Sequence, residues 1–172
     1  MVRARAVSLQ SANTDSTGLG LSINDKWIPE VDISYFYSKN VAVELILTVP
    51  QSHDLSSSKI GGKIGTVDHL PPTLLFQYHF DSNGGVKPYV GVGVNYTVFT
   101  NSDILKGAAS VDHSSWGGAL QVGVDIPLGG NMYLNFDLKK AYIKTGVYVG
   151  TANQGDFKVD PVLFGMGVGW RF

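Results

Sequence analysis

Apolar and polar positions alternate with a period of two through much of the chain, most strictly in residues 162–172. Every even position from Val162 to Phe172 is apolar, whereas the odd positions hold only Gly, Leu or Arg. A period of two places one set of residues on each face of a β-strand. A free strand edge with such an apolar face would promote aggregation in water. This segment is therefore expected to close a barrel or to lie inside a sandwich.

The same alternation predicts eight strands and no helix in one domain of 172 residues. The connections are alternately short and long, and the long ones are polar and rich in Gly, Ser and Asp. This arrangement is typical of an all-β, eight-stranded antiparallel up-and-down transmembrane β-barrel, because single-chain outer-membrane barrels have even strand numbers with short turns at one end. The predicted strands are Val2–Ser8, Ile28–Tyr37, Val41–Thr48, Pro72–Phe80, Lys87–Phe99, Ser115–Ile126, Met132–Tyr148 and Phe157–Phe172.

The two faces of the predicted strands differ in chemistry. One face is almost entirely hydrocarbon, with residues such as Val43 and Phe76, and the other combines glycine with charged residues such as Glu44. In an outer-membrane barrel the apolar face contacts lipid and the polar face lines the lumen. A soluble lipocalin-type barrel would reverse this arrangement, but an eight-stranded interior has little room for so many bulky side chains. The membrane barrel is the favoured interpretation.

Aromatic residues lie near both ends of the predicted strands, as in the girdles that flank the apolar band of a membrane barrel. Tyr78 and Trp170 are at the short-turn end, and Trp27 and Trp116 are near the long loops. Lys140 departs from the pattern, because strict alternation points it at lipid. We expect it either to extend to the lipid headgroups or to be turned inward by a bulge.

Composition excludes several classes of function. A net charge of -1 leaves no basic surface for nucleic acid, and the absence of cysteine excludes disulfides and thiolate metal sites. The loop residues His53, His69 and His113 have acidic or hydroxyl neighbours, but no catalytic motif or metal-spaced cluster is present. We therefore expect no enzyme, no metal and no cofactor. Because Met1–Arg5 runs directly into a predicted strand, an exported form would have lost its signal peptide.

Several segments resemble the OmpW family of Gram-negative outer-membrane proteins. The longest are His69–Phe80, HLPPTLLFQYHF, and Lys87–Phe99, KPYVGVGVNYTVF. The resemblance implies residence in the bacterial outer membrane, among its lipids and lipopolysaccharide. It also implies an apolar outer lumen through which small hydrophobic molecules pass before they escape sideways into the bilayer. Further similar segments are Ser115–Gly117, Gln121–Asp125, Ile143–Thr145, Asp160–Pro161 and Gly169–Phe172.

Inward positions of the predicted barrel are apolar in the outer half and charged toward the short turns. The family resemblance places Ile46 near a leucine of the apolar constriction, and Lys139 close to a tryptophan of it, where a cation does not suit an apolar gate. The charged set is either a paired plug that serves only the fold or a polar transport path. The expected apolar lumen comprises Val7, Ile46, Leu75, Phe99, Ile143 and Leu163, and the expected polar plug comprises Arg3, Arg5, Glu44, His79, Asp125, Asp137, Lys139 and Arg171.

Three prolines, Pro50, Pro71 and Pro72, flank the second long loop. Proline cannot donate a backbone hydrogen bond, so these residues either end the strand pairing or open a lateral window in the wall. At the other end of the chain, Trp170 and Phe172 resemble the signal read by the outer-membrane assembly machinery.

These observations favour a passive channel for small hydrophobic molecules. The alternative is a barrel without transport activity that presents its loops as a receptor or binding surface, or that is only anchored in the membrane. A water-filled porin is less consistent with an eight-stranded lumen that contains paired charges.

Overall fold

The computed structural model describes residues 1–82, 85–104 and 109–172. No helix in these ranges combines the length and apolar character that crossing a bilayer requires. The described residues form fifteen strands. They are β1 (Val2–Gln10), β2 (Thr14–Asp15), β3 (Leu21–Ile23), β4 (Lys26–Phe36), β5 (Val41–Thr48), β6 (Gln51–Ser57), β7 (Gly62–Leu70), β8 (Thr73–His79), β9 (Lys87–Ile104), β10 (Ala109–Val111), β11 (Ser114–Gly129), β12 (Met132–Ala141), β13 (Lys144–Val149), β14 (Ala152–Lys158) and β15 (Val162–Trp170).

Eight of these strands form a closed antiparallel barrel, which confirms the predicted fold. They follow one another around the barrel in the order β1, β4, β5, β8, β9, β11, β12 and β15. Strand β15 closes the barrel against β1, with register pairs that run from Val2 opposite Trp170 to Gln10 opposite Val162. The strictly alternating segment is therefore the closing strand, and it has a hydrogen-bonded neighbour on each side.

The alternation of the side chains also matches the membrane interpretation. In β8, Leu75 and Gln77 are fully buried in the lumen, whereas Phe76 between them is 53% exposed on the outer wall. The apolar set thus faces outward, which is the reverse of a lipocalin-type barrel. Glycine is required where neighbouring strands come close: a Cβ atom added at Gly167 would lie 2.0 Å from the backbone oxygen of Ala4.

The long connections differ from the prediction, because much of their length is strand rather than loop. Strands β6 and β7 form a hairpin that pairs with the outer part of β9, and β13 pairs with β10 and β14. Outside the bilayer both faces of a strand can be polar, so these segments lack the alternation that reveals strands within it. The barrel therefore extends beyond its outer aromatic ring, which we define as Trp27, Tyr96 and Trp116.

Two predicted strands are interrupted, which corrects their expected limits. The segment predicted as Met132–Tyr148 leaves the ladder at residues 142–143, and the segment predicted as Phe157–Phe172 leaves it at residues 159–161. Asp160 has a positive φ of 36° and precedes Pro161, which has no N–H to donate. The carboxylate of Asp160 accepts the backbone N–H of Ile143 at 2.9 Å, between backbone hydrogen bonds from Val159 N–H to the Ile143 oxygen and from Ala141 N–H to the Pro161 oxygen.

Lys140 does not turn inward, so the bulge alternative is wrong. It stays on the outward side of β12, between buried Lys139 and buried Ala141, and its ammonium donates a hydrogen bond to the backbone oxygen of Asp160. The interruption in the neighbouring segment supplies the partner that this cation needs at a lipid-facing position.

Candidate functional site

The short-turn half of the lumen is filled by a network of charged side chains. The guanidinium of Arg3 donates to both carboxylate oxygens of Asp125, at 3.1 and 2.8 Å. Its remaining nitrogen donates to Asp32 at 3.0 Å, Ser34 at 2.7 Å and Glu44 at 3.1 Å. Arg3 is fully buried and joins side chains from three strands besides its own.

Arg5 and Lys139 form the next layer outward. Arg5 donates to Glu30 at 2.8 Å and to Glu44 at 3.0 Å. Lys139 donates to the same Glu30 oxygen at 2.6 Å and pairs with Asp137 at 2.8 Å. Lys139 is thus held by two buried carboxylates, in a role that differs from an apolar gate.

Neutral polar residues connect the charged ones. Gln121 donates to Glu44 and to Asp137, each at 2.8 Å, and the hydroxyl of Tyr89 donates to Asp137 at 3.0 Å. Asn135 bonds Asp125 at 2.9 Å. These groups fill the spaces between the charges and leave a packed plug across the narrow lumen.

Two residues of the expected plug lie at its edge. His79 contacts Gln77 at 3.1 Å and stacks on Tyr89 with ring centroids 4.9 Å apart. The guanidinium of Arg171 lies over the ring of Phe36, 4.0 Å from its centroid, and joins no carboxylate among the described residues. The structure therefore brings Arg3, Arg5, Glu44, Asp125, Asp137 and Lys139 together, and leaves Arg171 outside.

Apolar residues replace charged ones immediately outward of the plug, on the same strands. Val7 packs with Leu9 and Ile28, and Ile46 packs with Leu75 and Ala119. The switch follows from the sequence, since β1 carries Arg3 and Arg5 and then Val7 and Leu9 at successive inward positions. Val7 and Leu75 are buried in this layer.

An inner cavity lies on this apolar layer. Glu30 and Lys139 of the plug also line it, so the charged network borders its base. Ile46, Ile143 and Leu163 of the expected apolar lumen line its wall. The remaining lining residues are Leu9, Ile28, Thr48, His69, Pro71, Thr73, Asn95, Ala119, Ala141 and Pro161.

An outer cavity lies within the part of the barrel that projects beyond the outer aromatic ring. Phe99 of the expected apolar lumen lines it, and Ile143 and His69 line both cavities. Its other lining residues are Leu19, Leu21, Ile23, His53, Leu55, Ile64, Val67, Ile104, Ala109, Val111, Thr145, Val147, Val149, Phe157 and Val159. Ile143 and His69 therefore lie between the outer cavity and the inner one.

His53 and His69 are the imidazoles of this apolar outer cavity. They stack with ring centroids 4.8 Å apart, and Nδ1 of His53 contacts the backbone oxygen of Asn24 at 3.2 Å. Both lie outward of Tyr96, because His69 pairs with Phe99 and His53 belongs to the same hairpin. Burial lowers the pKa of His53 and lowers the pKa of His69 to about 3, so both rings are neutral at pH 7.

Backbone pairing is interrupted in the wall beside the inner cavity. Strands β5 and β8 pair as far as Ile46 and Thr73, and pairing resumes at Gln51 and His69 in the outer hairpin. Between these points residues 47–50 face residues 70–72 without a register pair. The backbone oxygens of Pro71 and Pro72 instead accept long hydrogen bonds from the amide of Asn95, at 3.3 and 3.4 Å.

Sequence reasoning missed Tyr89 and most of the outer cavity. The alternation along β9 could have identified Tyr89, because it lies two positions before the inward Gly91 and so on the same face. The outer cavity was not visible because most of its lining residues come from segments predicted as loops.

Sequence comparison identifies relatives over nearly the whole chain. The OmpW family pattern matches residues 1–172. The uncharacterized outer-membrane protein y4mB of Sinorhizobium fredii is 38% identical, covering 99% of this chain and 79% of that protein. Outer membrane protein W of Escherichia coli is 36% identical, over 92% of this chain and 74% of that protein. The dibenzothiophene metabolism operon protein PahQ of Pseudomonas aeruginosa is 28% identical, covering 89% and 68%.

Solved structures show the same architecture. The crystal structure of OprG from Pseudomonas aeruginosa superposes with a TM-score of 0.85 at 24% identity, covering 99% of this chain and 94% of that one. The solution structure of Escherichia coli outer membrane protein W gives a TM-score of 0.72 at 29% identity, covering 99% and 97%. The chain belongs to the OmpW family and is an outer-membrane β-barrel.

Proposed function

We propose that this barrel is a passive channel that takes up small hydrophobic molecules from outside the cell. Solutes enter the outer cavity, move to the inner cavity, and leave sideways into the bilayer between β5 and β8. The polar plug below keeps ions from following them to the periplasm. No chemical step is involved, and the driving force is the concentration gradient.

The observation that carries the proposal is the vertical order of the lumen. Two cavities with mainly apolar linings, which share Ile143 and His69, lie above a packed ionic plug, so an apolar solute has favourable surroundings only in the outer half. Moving such a solute on through the plug would require the charge pairs to separate in a region without bulk water, which is costly. Thr48 and Pro71, at the break in pairing, line the inner cavity, and this contact supports an exit at that point.

The name of one relative supports an apolar solute. PahQ is described as a dibenzothiophene metabolism operon protein, and dibenzothiophene is an aromatic hydrocarbon-like compound. We therefore propose solutes that are small and predominantly apolar.

Charged substitutions in the inner cavity test the channel. Ile46→Arg and Leu163→Arg each place a cation in the path, and each is expected to reduce uptake of a fluorescent hydrophobic probe into reconstituted vesicles about tenfold or more, because an unpaired charge makes the cavity unfavourable for hydrocarbon. Ile60→Arg is the matched control, since Ile60 is half-exposed in the turn between β6 and β7 and lines neither cavity.

Uptake by Ile46→Arg and Leu163→Arg at the wild-type rate would contradict the channel and favour a receptor role for the loops. Gel mobility of the folded and heat-denatured forms establishes that each variant has formed the barrel before its uptake is compared.

A further inference from the structure

We propose that His53 is a hydrogen-bonding station for the polar end of the solute, so that the channel prefers apolar molecules that carry one hydrogen-bond donor. This inference rests on the proposed channel function and names the substrate class of the same path. The chemistry it selects is a small alcohol or a similar monofunctional amphiphile, in preference to a pure hydrocarbon of the same length.

The first observation is an unsatisfied nitrogen in an apolar chamber. The side chain of His53 is fully buried, and its Nε2 atom has no hydrogen-bond partner among the described residues. Leaving a buried polar atom unpaired costs about 1–3 kcal/mol, so a partner supplied by a ligand would recover stabilisation. The ring lines the outer cavity, whose other walls are almost entirely hydrocarbon.

The second observation fixes which kind of partner fits. Nδ1 of His53 lies 3.2 Å from the backbone oxygen of Asn24, and that oxygen can only accept, so Nδ1 carries the proton. Nε2 of the neutral ring is then an acceptor, and it requires a donor from the ligand. A hydroxyl group meets this requirement, whereas an ether oxygen or a methyl group does not.

The third observation is the place of the pair along the path. His53 stacks on His69, which lines both cavities, so the acceptor lies next to a residue that a solute passing from one cavity to the other would contact. The alkyl part of an amphiphile would remain in the outer cavity against residues such as Leu55 and Ile104 while its hydroxyl group is held. This hydrogen bond distinguishes solutes of equal size without placing a charge in the lumen.

Competing uptake of three probes tests the preference. The probes are 1-octanol, 1-methoxyheptane and octane, which are similar in size and differ in hydrogen-bonding ability. One net hydrogen bond corresponds to a preference of about threefold to tenfold for 1-octanol over the other two, beyond their partition into protein-free vesicles. His53→Phe keeps an aromatic ring for the stack and removes the acceptor, so the preference is expected to disappear.

His113→Phe is the matched control, because His113 is exposed and lines neither cavity. It is expected to keep the wild-type preference. An equal preference in wild type and His53→Phe would overturn the proposal.

A measurement on the wild-type protein gives an independent answer even if His53→Phe does not fold. The ¹⁵N resonance of His53 Nε2 is expected to move upfield when 1-octanol is added to the protein in lipid nanodiscs, and to remain in place with 1-methoxyheptane. A resonance that is unchanged by 1-octanol would refute the station. Normal uptake of octane without this shift would contradict the role of His53 and leave the proposed channel intact. A shift without uptake of any probe would contradict the channel and leave His53 as a binding site.

Discussion

Arg3 shows how strongly one side chain can organise the lumen. Its guanidinium donates to three carboxylates and a hydroxyl, and all of these groups are buried. Such an arrangement stabilises the fold only while every partner is present, because each buried charge relies on its opposite.

Replacing Arg3 is expected to be strongly destabilising. Arg3→Met leaves Asp32, Glu44 and Asp125 short of a cation, and we expect a loss of about 3–5 kcal/mol in the free energy of unfolding. Urea titration of the wild-type and variant proteins in lipid vesicles measures this loss in the free energy of unfolding. Lys63→Met breaks a 2.7 Å pair with Asp54 in which both side chains are about half-exposed, and it should cost at most about 1 kcal/mol. Similar losses for the two variants would show that the plug is not an energetic centre.

Individual residues also show what can be predicted from parity, the alternation of inward and outward positions along a strand. Parity placed Arg3, Arg5, Glu44 and Lys139 inside, and the structure joins them in one network. It also placed Arg171 inside, but parity carries no information on height along the lumen. Arg171 lies at the short-turn end, where Phe36 offers an aromatic face rather than a carboxylate.

Among the elements, the seam between β5 and β8 carries the proposed exit. The chain contains no cysteine, so an engineered disulfide would be the only one. Cysteines at Leu47 and Pro72 are expected to close the exit and lower uptake of a hydrophobic probe severalfold, with recovery on reduction. Cysteines at the register pair Val43 and Phe76 are the control, since that part of the seam is already closed. Uptake unaffected by the Leu47–Pro72 bridge would place the exit elsewhere.

The hairpin of β6 and β7 is expected to be sensitive to acid. Burial keeps the pKa values of His53 and His69 below the ordinary value near 6.5, so the closed hairpin binds fewer protons than an opened one. Its stability is therefore complete above about pH 6.5 and decreases as the pH falls toward about 3. Amide hydrogen exchange, corrected for the intrinsic rate, should show the hairpin losing more protection than β12 at about pH 4.5.

The double variant His53→Phe, His69→Phe should remove the difference between the hairpin and β12. An acid response that persists in this variant would mean that the two histidines are not its cause.

The sequence predicted the strands best within the bilayer, where apolar and inward residues must alternate. Strand β8 alternates at every position because lipid lies on one side and the lumen on the other. The sequence of hairpin β6–β7 lacks this alternation, so its strands were predicted as a loop. The outer cavity, which they help to line, was therefore not predicted. The break at Asp160 depends on one positive φ and one side-chain hydrogen bond, which period-two alternation cannot reveal.

For the molecule as a whole, the plug predicts the electrical behaviour. A lumen closed by packed ion pairs should show no large steps of ionic conductance in planar bilayers, even when uptake of hydrophobic probes is normal. Large, long-lived conductance steps would show instead that water fills the lumen and that the barrel is a porin.

Assembly is the other property of the whole molecule. Phe172 is 91% exposed, so its side chain contributes little packing to the finished barrel. We therefore propose that Phe172→Ala slows insertion in cells severalfold while refolding in detergent remains close to wild type. Trp170 is paired with both Val2 and Met132, so Trp170→Ala should slow insertion in cells and also impair refolding in detergent. Equal losses for Phe172→Ala in the two settings would mean that its role is packing alone.

The interrupted seam also sets a limit on molecular breadth. The unpaired stretch opposite residues 70–72 is residues 47–50, and four residues of extended chain span about 13 Å. A rigid molecule broader than this would have to break the backbone pair of Ile46 with Thr73 or that of Gln51 with His69. We therefore expect the proposed exit to pass flexible chains end-on and narrow rings, and to exclude rigid molecules broader than about 13 Å. If solutes leave by the proposed exit, the backbone pairs at its two ends set the upper limit on their width.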